Sequence, residues 1–393
     1  MQTMNFLVKS AALLAFGTMA CAAQAEAILA VGYLKQAVVA PAVLSNLDPV
    51  PETLGVDGAR LGQADNQSSG RFLGHSYVLD VSEVDPGGDL LAAARTLLAT
   101  SPYLILDASA DDILRVADLP EAQDALIFNA SAQETRLRDA ECRRNLFHTL
   151  PSAAMRADAL MQVLMAKRFS RLALVAGEHP ADRAFADALR RSAAKFGLKI
   201  TGEREWRFDA DMRRNASQEV PLFTQDLPEH DVLLIADETN DFGRYIAYNT
   251  WLPRPVAGSE GMVPVAWSRV VEQWGAAQLQ SRFVKLAGRD MKNRDYAAWA
   301  AMRVLGEALT RTGSTDPAQL RAYILSPEFE LAGFKGRPMS FRHWNGQLRQ
   351  PIPLVTDRAV VMQAPVEGFL HQRSELDTLG IDLPESRCTA FKE

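Results

Sequence analysis

Arg171-Leu172-Ala173-Leu174-Val175-Ala176-Gly177-Glu178-His179-Pro180 is the stretch on which the fold turns. Its first six residues form a short apolar run that Gly177 to Pro180 cut off, the pattern of a buried strand ending in a loop. Behind it Phe185, Ala188, Leu189, Ser192, Ala193 and Phe196 recur at helical spacing, with Arg183, Asp187, Arg190, Arg191 and Lys195 on the opposite face. Gly197 stands where a helix C-cap belongs, and Leu198-Lys199-Ile200 restarts an extended chain toward Trp206 and Phe208. Strand, helix and strand of this length predict a right-handed βαβ unit, hence a parallel sheet covered by helices on both faces. In such sheets ligands sit beyond the carboxyl ends of the strands, so the loop at 177–180 and its equivalents are where function is sought.

The same rhythm extends in both directions. Residues 28–33 predict a first strand, followed by a loop over 35–54 that Pro41, Pro49 and Pro51 interrupt. A helix over 58–66 is expected to give way to a turn-rich segment at 67–74, and residues 77–81 form the next strand. Asp85-Pro86-Gly87-Gly88-Asp89 opens a helix, 103–106 is a strand ending at Asp107-Ala108-Ser109, and 125–128 is another ending at Asn129-Ala130-Ser131. Ser152 is an N-cap candidate, 231–236 a buried strand ending at Asp237-Glu238, and 263–266 a weaker strand. A helix over 296–312 stops at Gly313, and Ser314-Thr315-Asp316-Pro317 starts one more. From Phe334 to Cys388 the chain is richer in Pro and Gly and reads as strands and loops.

At 393 residues the chain exceeds the size at which one core stops growing, which predicts two lobes. Lys and Arg number 42 against 48 Asp and Glu, and no basic block argues for nucleic acid. The N-terminus carries Lys9, an apolar run over 11–20 and Ala23-Gln24-Ala25, the organisation of a secretory signal peptide over 1–25, which predicts an exported protein. A membrane anchor is the competing reading, against which the run is too short, and a lipoprotein acylated at Cys21 is another, against which Thr18-Met19-Ala20 is a poor recognition sequence. With Cys21 removed, Cys142 and Cys388 remain in an oxidising compartment; a disulfide is the economical reading and two separate buried thiols the other. No CxxC, Cys/His ligand spacing or HExxH supports a metal site, and no GxSxG, GxGxxG or P-loop supports a nucleophile elbow or a cofactor. The six histidines, at 75, 148, 179, 230, 343 and 371, are scattered; His179 at a strand end is a possible general base, with a polar loop residue as the plainer reading.

Taken together, Gly58-Ala59-Arg60-Leu61 with Asp65-Asn66, Gly70 and Gly74, the strand ends at 107–109 and 129–131, the unit at 171–197, the strand at 231–237, and 296–317 with Phe334-Lys335-Gly336 resemble the type I periplasmic substrate-binding proteins of ABC transporters. The resemblance is to the branch that handles leucine, isoleucine and valine, and within it to binding proteins associated with PQQ-dependent alcohol dehydrogenase systems. It implies an α/β protein of two Rossmann-like lobes joined by three crossings, near 149–151, 266–269 and 326–333. Lobe 1 is then 27–150 plus 268–326, and lobe 2 is 151–267 plus 327–393. It also implies a ligand in the cleft, with Ser109 as hydroxyl donor, Ala130 and Ser131 at the ligand carboxylate, Glu178 and His179 in the second lobe, and Asp237 or Glu238 near an ammonium-binding acid. Three departures stand out: the loop after Val175 has no tyrosine, Asn129 replaces a usual proline, and Arg136, Arg138 and Arg143 crowd the segment after the first-lobe site.

Each of these residues has a plainer reading beside the ligand-binding one. Ser109 and Ser131 are candidate helix caps, Asp237 and Glu238 a solvated loop, and the arginines surface charges or partners of Asp139 and Glu141. The functional expectation is a non-catalytic binding protein that takes a small polar solute, with carboxylates among the candidates, from the periplasm to an ABC permease. An accessory protein of an exported quinoprotein dehydrogenase and a hydrolytic or redox enzyme are the competing classes.

Overall fold

The computed structural model describes residues 26–39, 50–207 and 212–392. The expected signal peptide with Cys21, residues 40–49 of the expected loop, and Phe208 lie outside them.

The first sheet is built from β1 (Ala27–Gln36), α1 (Val56–Leu73), β2 (His75–Val84), α2 (Leu90–Leu98), β3 (Tyr103–Asp107), α3 (Ala110–Ala117), β4 (Leu126–Asn129) and β5 (Leu146–His148). The second comes from α4 (Ala153–Ala166), β6 (Arg171–Ala176), α5 (Pro180–Lys195), β7 (Lys199–Glu205), α6 (Met212–Thr224), β8 (Val232–Ala236), α7 (Gly243–Ile246) and β9 (Val256–Gly258). After the short strand β10 (Val263–Pro264) follow α8 (Ala276–Ala287), α9 (Asn293–Thr312), α10 (Pro317–Ile324), the hairpin β11 (Ser340–Phe341) and β12 (Leu348–Arg349), then β13 (Ile352–Val355) and β14 (Val360–Ala364). Strand order is β2-β1-β3-β4-β5 in one sheet and β7-β6-β8-β9 in the other, parallel throughout; β10-β13-β14 form a small antiparallel sheet. The fold is α/β with parallel-sheet lobes, as the 171–208 pattern requires.

The deciding unit has the predicted form. β6 pairs with β7 on one side and β8 on the other. Leu172, Leu174, Phe185, Leu189 and Ala193 share one core, each large side chain contributing about 1.5–3 kcal/mol by leaving water. Gly197, at φ 69°, takes the left-handed conformation that ends the helix. One expectation fails in α1, which runs on through the supposed turn at 67–74 to Leu73. Gly70 lies inside that helix because a Cβ there would come within 2.7 Å of the Tyr77 ring; the glycine marks close packing on β2 rather than a turn.

Each sheet is covered on both faces. In the first, α1, α8, α9 and α10 pack on one side and α2 and α3 on the other. In the second, α4 and α5 face α6, α7 and Trp206 across the strands. The core changes sheets between Leu150 and Ala153, between Met262 and Val265, and between Leu348 and Ile352. The expected crossing at 326–333, with 327–393 wholly in the second lobe, does not fit this packing. Phe329, Leu331, Met339, Phe341 and Leu348 belong to the first sheet's core, where Phe341 meets Phe329 at 5.7 Å and Phe147 at 5.5 Å between ring centroids. The aromatic contacts and the β11-β12 hairpin hold this stretch in the first lobe, and the chain leaves it only at Gln350-Pro351. Gln350 ties the first and third crossings, donating to the Thr149 carbonyl (2.7 Å) and accepting from the buried Lys335 (2.6 Å).

Candidate functional site

Ser109, Asn129, Ala130 and Ser131 follow β3 and β4, as expected, but their side chains serve the loops. Ser109 is the N-cap of α3: its hydroxyl accepts from Asp112 N (3.2 Å) and donates to Asp112 Oδ2 (2.8 Å). Asn129 is fully buried, and its Oδ1 accepts from the backbone N–H groups of Ser131 (3.0 Å) and Ala132 (2.8 Å), while its Nδ2 donates to the Ala132 carbonyl. Ser131 is buried and bonds both N–H and C=O of Ala108 at 2.9 Å, stitching the end of β3 to the end of β4. Ala130 is buried and donates its N–H to the Leu106 carbonyl. Of this set Ser109 alone is exposed.

In the second lobe the stitching residue is Asp182, in the first turn of α5. Its carboxylate accepts from Glu238 N (2.6 Å) and His179 N (3.2 Å), so it binds the ends of β6 and β8 together. Asp237 is buried and accepts from Asp241, Phe242 and Gly243 N–H groups at 2.7–2.9 Å, organising the turn into α7. Glu178 and His179 are exposed, with His179 Nε2 2.6 Å from Asp241 Oδ2. Glu238 grips Arg156 through both oxygens (2.5 and 3.1 Å) and accepts from Ser259 Oγ (2.8 Å).

No hydrogen bond or ion pair among the described residues joins the first set directly to the second; the link runs through two residues that the sequence did not single out. Arg156 donates to Gln133 Oε1 (2.6 Å) on the first-lobe loop as well as to Glu238, and its guanidinium lies 4.4 Å over the Phe185 ring. Gln133 in turn accepts from Ala153 N through its carbonyl (2.8 Å). The signal was present: Arg156 and Asp158 are the only charges in the otherwise apolar turns of α4 that follow the Ser152 cap. Glu260 was also missed. It follows β9, too short at three residues to show a period, and it lines a cavity of about 580 Å³ with Lys167, Tyr248, Met262 and Arg358. Burial raises its carboxyl above the usual range, with Asp237 and Asp357 adding to the effect against Arg244.

The crowded arginines are structural. Arg136 pairs with Asp111 and Glu141, and Arg143 grips Asp118 at 2.5 and 2.9 Å. Arg138 is buried and donates to Gln347 (2.9 Å) and the Leu150 carbonyl (3.0 Å). Asp139, a suggested partner, is taken instead by Arg387. Among the described residues no group of three or more His, Cys, Asp or Glu is placed to hold a metal ion.

Asp182 supplies a pH signature. Burial, with Asp237 alongside, pushes its carboxyl up to about 6 from the ordinary 3.8, against the two backbone N–H groups that favour the charged form. The folded protein therefore holds this proton more tightly than the unfolded chain does. The stability this confers is present below about pH 4 and is lost as pH rises through 6. Asp182→Asn is expected to flatten the pH dependence of urea unfolding over that window, and a slope identical to wild type would remove Asp182 as its source.

Residues 52–214 match the family described as periplasmic binding protein, and no curated protein matches the chain. Among solved structures, a branched chain amino acid ABC transporter periplasmic ligand-binding protein from Burkholderia xenovorans is 16% identical, covering 93% of this chain and 100% of its own, at a TM-score of 0.70. A periplasmic binding protein from Burkholderia mallei is 15% identical over 93% of this chain and 100% of its own, at 0.66. A leucine-, isoleucine-, valine-, threonine- and alanine-binding protein from Brucella ovis, in a closed conformation, is 14% identical over 83% and 88%, at 0.65. At these identities the likeness is one of fold.

Proposed function

We propose that this chain is the exported solute-binding component of an ABC-type transporter, closing its two lobes on a small polar solute for delivery to a permease. The observation that carries the reading is the meeting of both sheets' carboxyl-end loops at Gln133, Arg156 and Glu238, beside the hinge crossings. A ligand touching both sets of loops prefers the closed arrangement and shifts the hinge by that difference in affinity. The buried members Asn129, Ala130, Ser131 and Asp237 shape the loops, while Ser109, Glu178 and His179 are exposed where a solute can reach them. A carboxylate on the solute would compete with Glu238 for Arg156, whose planar guanidinium suits bidentate pairing. Export through a leader ending at Ala25 belongs to the same reading; the intact mass of protein from the periplasmic fraction checks it, and a retained Met1 or a lipid on Cys21 counts against it.

Thermal-shift screening of amino acids, short organic acids, alcohol-oxidation products and redox cofactors tests the binding. Ligand at 100 times its dissociation constant is expected to raise unfolding stability by about 2.7 kcal/mol. In a Ser109→Ala, His179→Asn variant the same compound should give a smaller shift; an undiminished response would move the site elsewhere. A second reading has its own support, because Asp237 and Glu238 are already paired within the protein. It is that of a non-transport accessory protein of an exported quinoprotein dehydrogenase, the link to PQQ-dependent alcohol oxidation resting on sequence resemblance. A screen in which nothing shifts the wild type favours it.

A further inference from the structure

We infer that the C-terminal segment, residues 376–392, is a fourth connection between the lobes: a strap fastened at both ends that restricts their rotation about the hinge. The inference rests on the two-lobe arrangement and is independent of which solute, if any, the cleft takes.

The chain enters the strap from the second lobe. Leu379 lies in the core of the second sheet, Thr378 accepts from Gln162 of α4 (2.9 Å), and Gly380 donates to Asp158 of α4 (2.7 Å) while its carbonyl accepts from Lys195 of α5 (3.0 Å). At Arg387 and Cys388, seven and eight residues past Gly380, it is fastened to the first lobe. Cys388 is disulfide-bonded to Cys142, and both sulfurs lie in the core of the first sheet. Arg387 grips Asp139 through its backbone N–H (2.6 Å), Nε (2.8 Å) and a terminal nitrogen (2.6 Å). Phe391 packs edge-on against Phe147 at 6.1 Å. At the second-lobe end of the strap, Arg342 of the first-lobe hairpin adds a direct contact between the lobes, holding the carbonyls of Leu376, Leu379 and Ile381 and the carboxylate of Asp377.

Three crossings at a hinge leave two rigid bodies free to rotate about it, since a few residues at each crossing absorb the change in backbone angles. A fourth link anchored away from those crossings adds a length limit. The residues between Gly380 and Arg387 number six, a reach of roughly 20 Å when fully extended. Part of that reach is already spent in the helical turn Leu383–Glu385. Rotation that separates Asp158 from Cys142 by more than the remaining slack must first strip the Gly380 contacts or the Arg387 clamp, and the covalent bond does not yield at all.

The test reads the distance between lobes rather than stability. Spin labels on a ketone-bearing amino acid placed at the exposed positions Thr96 of α2 and Ala184 of α5 report that distance by double electron–electron resonance. Two variants of the full mature chain release the strap differently. One is Cys142→Ser with Cys388→Ser; the other keeps the disulfide and inserts five Gly-Ser residues after Pro384. Both are expected to broaden the distribution and extend it to longer distances than wild type. The insertion decides the matter where the serine variant fails to fold, because it leaves every anchorage in place. A distribution in the insertion variant that superimposes on wild type overturns the strap: the disulfide is then a local brace of the first lobe, and the Arg342 contacts at 376–381 hold the lobes without the stretch 382–388.

Discussion

Asp377→Ala is expected to lower unfolding free energy by about 3–5 kcal/mol, the range found when one partner of a buried ion pair is removed. The Asp377 side chain is fully buried, and its Oδ1 accepts from Nε of Arg342 (2.9 Å) and of Arg349 (2.8 Å). Without it, two guanidinium groups remain out of water, one of them 2% exposed, with carbonyl oxygens as their main partners. Burial already pulls the Arg342 guanidinium below its usual range, and the Asp377 carboxylate opposes that pull. Equilibrium urea unfolding of the variant beside Arg190→Ala makes the comparison. Arg190 pairs with Asp187 and Glu203 on the exposed face of α5, where loss of the pair costs about 0–1 kcal/mol. Equal losses in the two variants would show that the Asp377 cluster is not sealed from solvent.

Serine at both Cys142 and Cys388 is expected to cost about 2–4 kcal/mol, chiefly because the unfolded chain regains the freedom of a very long loop. The two cysteines are 246 residues apart in sequence with Cα atoms 5.6 Å apart. Two free thiols per mature chain, counted under denaturing and non-reducing conditions, would rule the bridge out. A stability loss well under 2 kcal/mol in the double variant would instead point to residual order in the unfolded chain that the bridge does not add to.

The element pattern was legible wherever a segment was long enough to show a period. β6, α5 and β7, the strands ending at Asp107, Asn129 and Ala236, and α9 with its stop at Gly313 all announce themselves by spacing. So do the caps at Ser109 and Ser152, whose side chains bond backbone three residues ahead. β5 and β9, at three residues each, were not seen, and with β9 the Ser259-Glu260 loop was lost. Gly70 misled, because a glycine that permits close packing is indistinguishable in one sequence from a glycine, such as Gly74, that ends a helix in the left-handed conformation.

By itself the sequence determined which residues stand at the carboxyl ends of parallel strands, because strand and helix periods are local properties of the chain. It also singled out the only cysteine pair that an exported chain would retain. Only the tertiary structure decided what those residues touch. Asp182 meets Glu238 across 56 positions, Arg156 meets Glu238 across 82, and the strap fastens Arg387 to Asp139 across 248. Such partners leave no trace in local spacing: a carboxylate's charge is the same whether it faces a solute, a backbone N–H or an arginine, and the packing of distant elements selects among them.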